Sequence, residues 1–469
     1  MSRSSVFLFL AVMAFALIAT FAGCTPHKAY RVPESIINTN ILDLKADPLA
    51  QQEVARHCVE SHDNFSLAFV EFDDQGDFWD RNQLDALHES LDIESNRTDT
   101  DGLIIVVFVH GWKHNAQVCD ENVSCFREVL TGIANAEQLR TTREFEEGGA
   151  GLPRRVIGVY VGWRGLSITA PILKELSFYA RKSAAHRVGS GEVIELLTIL
   201  ESKRNNLNRR SVSSNTTRLI TVGHSFGSAV TFSAISKILH RRLANGTLGT
   251  AVGSPIQSFG DLVVLVNPAF EAALYSGIHN IASSQDSFVE DQKPTLAVLS
   301  SETDSATGFF FPIGRFFSTM FDKTSSTEQK KALKTTLGNY ERYRTHEAMV
   351  APVGTRGSLL PDIVESSEDV SRGKLDCSCS YIEVTPTDQI DFEMHAAKAR
   401  EEYIEITPEK ARYGKVQLDY TGNGGSATNP FYVIRTSDEI ITEHNGIYNQ
   451  IFLDFLRVFI LDNDATELR

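Results

Sequence analysis

Apolar residues along this chain come in short β-branched runs separated by longer stretches in which they recur at helical spacing. The runs at 66–72, 103–109, 156–161, 218–222, 262–266, 295–299 and 431–435 predict seven strands. Leu103-Ile104-Ile105-Val106-Val107-Phe108-Val109 and Leu262-Val263-Val264-Leu265-Val266 are apolar at every position, as in strands covered on both faces. Between the strands, 122–140, 171–204 and 225–242 predict helices, and 446–462 predicts a last one lined by Ile447, Ile451, Phe455 and Phe459. Strands and helices in alternation imply an α/β fold with a mostly parallel sheet and helices on both faces. The alternation breaks at 306–429, which holds the phenylalanine-rich run 309–317 and the turn-rich Thr421-Gly422-Asn423-Gly424-Gly425. We expect this stretch to be an insertion or lid before the last strand, with the core at 61–305 and 430–469.

The N-terminus follows a different pattern. Arg3 precedes an apolar run that begins at Val6 and ends at Phe21-Ala22-Gly23-Cys24, the layout of a bacterial secretory signal over 1–23. The Phe-Ala-Gly-Cys ending resembles the lipobox of bacterial lipoproteins, which implies an acylated Cys24 as mature N-terminus, followed by a polar tether over 24–60. The alternative is an uncleaved membrane anchor, since the run nearly reaches the length that spans a bilayer. Either reading places the remainder outside the cytoplasm, at the membrane. The lipobox resemblance, with Thr25 next, leans towards the outer membrane.

Candidate chemistry centres on Gly223-His224-Ser225-Phe226-Gly227, between the predicted strand 218–222 and an apolar helix. A serine hydroxyl is a weak nucleophile until a sharp turn holds it beside a base and near amides that can receive an oxyanion. Glycines two before and two after the serine leave room for such a turn. The strand 295–299 runs into Ser300-Ser301-Glu302-Thr303-Asp304, and His444 lies between the last predicted strand and the last helix. His110-Gly111-Trp112-Lys113 closes the strand 103–109.

From about residue 65 to the C-terminus this order resembles the α/β-hydrolase superfamily. The resemblance implies a Ser-His-Asp triad of Ser225, His444 and Asp304, with Glu302 as the alternative acid. It also implies an oxyanion hole formed by the amides of Trp112 and Phe226. Trp163-Arg164-Gly165 and the segment 177–182 add to a resemblance to bacterial members of unassigned substrate. The activity implied is that of a carboxylic ester hydrolase, an esterase or lipase acting on a small-molecule or lipid ester. An acyltransferase or thioesterase using the same triad, or a non-catalytic envelope lipoprotein with a binding role, are the alternatives.

Charge and cysteines narrow the picture. A net charge of −15 with no dense basic run disfavours nucleic acid as partner. No cofactor motif is present, and His110 and His114, four apart, lack the acidic residue of a metal motif, so neither cofactor nor metal is expected. Beyond Cys24 there are Cys58, Cys119, Cys125, Cys377 and Cys379. An extracytoplasmic address permits disulfides. Cys119 and Cys125 are expected to bridge each other, whereas Cys377 and Cys379, too close for mutual bonding, are expected to reach elsewhere, with Cys58 one possible partner.

Overall fold

The computed structural model describes residues 28–32, 57–146, 148, 151–166, 171–211, 216–289, 292–312, 323–351, 377, 379, 410–413 and 415–462. The strands are β1 (Val59–Ser61), β2 (Phe65–Glu71), β3 (Leu103–Val109), β4 (Arg155–Gly162), β5 (Arg218–His224), β6 (Leu262–Val266), β7 (Leu296–Ser301), β8 (His346–Val350), β9 (Lys410–Tyr413), β10 (Val416–Tyr420) and β11 (Phe431–Thr436). They form one sheet in the order β1-β2-β4-β3-β5-β6-β7-β11-β8-β10-β9. From β2 to β8 in this order every pairing is parallel, and β1, β10 and β9 are antiparallel additions at the edges. The α/β class expected from the alternation is therefore what the chain adopts.

Period-two geometry explains why the central strands are apolar throughout. Ile105, Val107 and Val109 of β3 enter one core with residues of helices α1 (Asn82–Ser95), α3 (Pro171–Ser190), α4 (Val193–Arg210) and α5 (Phe226–Thr247). The alternate residues Ile104, Val106 and Phe108 enter a second core with Val123, Phe126 and Leu130 of α2 (Glu121–Glu146) and Phe452, Phe455 and Phe459 of the C-terminal helix (Gln450–Asp462). Both faces are covered, so no position of β3 faces water.

Several expectations are corrected. The helix expected over 171–204 is two, α3 and α4, separated at Gly191. A Cβ at Gly191 would lie 2.6 Å from the Gly76 carbonyl oxygen, so the turn packs backbone against backbone there. The stretch 306–429 does not stand wholly apart from the core, because β8, β9 and β10 within it extend the main sheet. Their short, alternating patterns (His346 and Ala348 in, Glu347 and Met349 out) are those of a half-exposed sheet margin, which carries a weaker sequence signal than a buried strand. Of the phenylalanine-rich run, Phe311 is 1% exposed and joins the first core, while 313–317 lie outside the described residues.

Cys119 and Cys125 do not bridge each other. Cys119 pairs with Cys377 and Cys125 with Cys379, each with Cα atoms 4.7 Å apart. Cys125 lies in the second turn of α2 and Cys119 in the loop before it, and two cysteines two residues apart present a matching pair of thiols to them. Cys58 is buried and free, its thiol pushed up to about 11 by burial. Among the described residues no helix is long and apolar enough to cross a membrane. Residues 1–27, which include Cys24 and the apolar run, lie outside them.

Candidate active site

The C-terminal ends of β3, β5, β6, β7 and β11 lie along one edge of the sheet, because these strands are parallel neighbours or near neighbours. β3 is also where the strand order reverses, β4 lying on one side and β5 on the other, the kind of crevice where α/β sheets bind ligands. The loops leaving this edge carry all the candidate residues of the triad and oxyanion hole.

Ser225 directly follows β5 with φ 56° and ψ −119°, a left-handed backbone that a serine adopts only under constraint, at a cost of about 1–3 kcal/mol. The constraint is visible. Its amide donates to the Val266 carbonyl at 2.9 Å, and its carbonyl accepts from Ser228 at 3.1 Å and Ala269 at 3.2 Å. The Ser228 hydroxyl donates to the Gly223 carbonyl at 2.6 Å and ties the helix start to the strand. Both glycines of the motif are sterically required. A Cβ at Gly223 would meet Ser228 Cα at 2.8 Å, and one at Gly227 would sit 1.9 Å from the Val109 carbonyl oxygen.

Three side chains from distant parts of the sequence meet here. Ser225 Oγ lies 2.7 Å from His444 Nε2, and His444 Nδ1 lies 2.9 Å from Asp304 Oδ2. This network assigns the Nδ1–H tautomer, with Nε2 free to accept the serine proton. Asp304 is buried, and Thr307 donates to it twice, from its amide at 3.1 Å and its hydroxyl at 2.5 Å. Burial alone would raise the Asp304 pKa; the His444 charge and the bonds from His444 and Thr307 outweigh it and hold the carboxyl below its ordinary value. Glu302, the alternative acid, is exposed and points to no relay: its amide pairs with the Thr436 carbonyl, and the carboxylate that reaches His444 is that of Asp304.

The Gly111-Trp112 turn presses against the serine, for a Cβ on Gly111 would approach Ser225 Cβ to 2.8 Å. Among the described residues the amides of Trp112 and Phe226 donate to no backbone carbonyl, so both are available beside Ser225. His110 holds this turn. It accepts from the Trp163 amide at Nε2 (3.1 Å), lies 2.9 Å from the Gly111 carbonyl at Nδ1, and its own carbonyl accepts from the Trp163 indole at 2.9 Å. Both ring nitrogens of His110 are thus engaged with protein, and His114 Nδ1 lies 3.0 Å from Asp120. The Trp163-Arg164-Gly165 segment gains a structural meaning: Gly165 pairs with His114 and Lys113 behind the turn, and Arg164 and Arg181 converge on Asp74. Phe178 from α3 packs on both Phe226 (4.7 Å) and Trp112 (5.3 Å), the two residues whose amides flank the serine.

Two further residues matter that sequence reasoning left without a role. His224 Nε2 donates to the His444 carbonyl at 2.9 Å, and Asn267 Nδ2 donates to the Glu443 and His444 carbonyls at 3.2 and 2.9 Å. Asn267 Oδ1 in turn accepts from the Ser301 amide at 2.9 Å, which links the loop to β7. Together they fix the backbone of the histidine loop, whose Glu443 has φ 58°. The available signals were a polar residue directly after an apolar strand, Asn267, and the second residue of the motif; both are too common to read without coordinates.

Buried histidines make stability pH-dependent. Burial, with the nearby His444 charge second, lowers His224 to about 3, and burial lowers His110 and His346 to about 4. Their folded pKa values lie below the unfolded value of 6.5, so the unfolded chain binds more protons in between. Their contribution is therefore complete above pH 6.5 and lost as pH falls towards 4. We expect stability from urea unfolding to fall between pH 6.5 and 4 by about 1.4 kcal/mol per pH unit for each such histidine. A flat profile across that window would show that they are charged in the folded protein.

Compared with known protein families, curated proteins and solved structures, the chain matches none.

Proposed function

We propose that this protein is a serine hydrolase of the α/β-hydrolase type that cleaves carboxylic esters outside the cytoplasm, anchored to a membrane through its N-terminus. The observation that carries this reading is the unbroken hydrogen-bonded chain Ser225–His444–Asp304, assembled at the switch-point edge of a parallel sheet. His444 Nε2 removes the Ser225 proton as Oγ attacks the acyl carbon, and Asp304 orients and stabilises the resulting imidazolium. The amides of Trp112 and Phe226 receive the negative charge on the carbonyl oxygen. Such a donor pair is effective because it is fixed before the charge develops, and loss of one donor costs about 3 kcal/mol. The imidazolium returns its proton to the departing alcohol, leaving an acyl-serine. Water then attacks the acyl-enzyme with His444 again as base, which releases the acid and restores the serine.

A fluorophosphonate probe tests this directly, because it phosphonylates only a serine whose base and oxyanion donors are in place. Covalent labelling of the folded protein, mapped to Ser225, is expected. An unlabelled folded protein would instead favour a binding role for the same fold.

A further inference from the structure

The segment 28–32, expected to be part of the polar tether over 24–60, is stapled into the core. Arg31 is 1% exposed, the largest of the fully buried side chains among the described residues. Its guanidinium lies 3.6 Å over the Phe69 ring, donates to the Ala116 carbonyl at 2.8 Å and pairs with Glu60 at 2.9 Å. The amides of Tyr30 and Arg31 both donate to the Glu71 carboxylate, and Gln83 donates to the Arg31 carbonyl at 3.0 Å. A charge this deeply buried, in a segment whose partners come from four parts of the chain (Glu60, β2, Gln83 and Ala116), holds the segment in one place.

That place is the catalytic edge. Glu71 is the last residue of β2 and pairs with Gly162, the last of β4, whose neighbour β3 ends at Val109 opposite Gly223 of β5. Arg31 and Ser225 thus sit at the same end of the sheet, three strand spacings apart, about 15 Å. The direction of the chain is also set. Val32 bridges His57 in parallel, and the chain runs from there into β1, which is antiparallel to β2. The chain before Arg31 therefore heads outward past the ends of the strands that carry the site. Cys24 lies four positions before the exposed Lys28, a reach of at most about 14 Å. The seven-residue strands span about 23 Å, so that reach does not extend to the opposite edge.

We propose, resting on the anchored-hydrolase reading above, that the Arg31 staple holds the catalytic edge against the bilayer in which Cys24 is embedded, and that the substrates are ester lipids resident in that bilayer. Beside the site Lys113 is exposed, its ammonium 4.1 Å from the Trp112 indole that packs into the first core, and a long-chain cation at the rim suits a lipid–water interface.

The test uses the full lipidated chain in phosphatidylcholine vesicles that carry a headgroup-attached quencher. Fluorophores are placed by Glu302→Cys on the catalytic edge and by Leu248→Cys on the opposite one, where α5 ends after running back from Ser225. The Glu302 position is expected to be quenched and the Leu248 position not. A second arm inserts about thirty Gly/Ser residues between Thr25 and Pro26, leaving the staple intact. Turnover of a vesicle-embedded ester should fall about tenfold while that of a soluble short-chain ester is unchanged. Equal or reversed quenching on a protein shown to be lipidated at Cys24 and labelled at Ser225 overturns the orientation alone. Absence of the lipid mass on Cys24, or of label on Ser225, overturns the underlying reading and the proposal with it.

Discussion

Ser225→Ala should lower kcat/KM on a short-chain ester by about 10⁴–10⁶-fold without unfolding the protein. The side-chain hydroxyl makes its hydrogen bond to His444, whereas the strained turn is held by the backbone bonds of Ser225 to Val266, Ser228 and Ala269. Circular dichroism and the melting temperature should therefore stay near wild type while activity disappears. His444→Ala should cost a similar factor, and the double variant no more than either single one, since nucleophile and base act as one unit. Asp304→Asn should cost about 10⁴-fold, because an amide at that position favours the wrong imidazole tautomer. Glu302→Gln should change little. If Glu302→Gln were the damaging variant, the acid would have been misassigned.

Gly227→Ala should have the largest effect on the fold itself. The added Cβ would lie 1.9 Å from the Val109 carbonyl oxygen and 2.6 Å from that of His110, and both are backbone atoms of the strand end that carries Gly111 and Trp112. Neither can rotate away, so α5 must retreat from β3. We expect a loss of about 3 kcal/mol or more in unfolding free energy, or failure to fold, with activity lost in whatever protein is recovered. Gly308→Ala is the control. Nothing lies within 4 Å of its Cβ position and its φ is not positive, so its stability should stay within about 0.5 kcal/mol of wild type. Chemical denaturation of the three proteins decides the point, and a Gly227→Ala variant as stable as wild type would show that helix and strand do not approach as described.

The two sets of variants probe the same turn from different sides. On the proposed function Ser225→Ala should carry little structural cost, because the hydroxyl serves chemistry, whereas Gly227→Ala should carry a large one, because the missing side chain makes the approach of helix to strand possible.

The central strands, the sharp turn at Gly223–Gly227 and the candidate residues Ser225 and His444 were legible in the sequence because each leaves a local mark. A strand buried on both faces is apolar at every position, as β3 and β6 are, and a turn that admits only glycine at Gly223 and Gly227 shows it in the string. The choice of Asp304 over Glu302 was open in the sequence, since two carboxylates two residues apart at a strand end look alike. Only the coordinates show Asp304 buried beneath His444 with Thr307 donating to it, and Glu302 turned to solvent.

Everything else that was missed depends on contacts between residues far apart in the chain. The Cys119–Cys377 and Cys125–Cys379 bridges span 258 and 254 residues, and no local spacing encodes them. β8, β9 and β10 gain their place from pairing with one another and with β11, not from a strong apolar run of their own. The grip of His224 and Asn267 on the His444 loop joins residues 220 and 177 positions apart. Arg31 reads as an ordinary charged residue near a chain end until Glu60, Glu71, Phe69 and Ala116 close around it. The sequence by itself determined which segments bury both faces and where the backbone must turn sharply, because backbone sterics and side-chain polarity act over a few residues. Tertiary structure alone decided which carboxylate meets His444, which cysteines pair and which cation is buried, because hydrogen bonds and ion pairs reward proximity in space and leave no period in the chain.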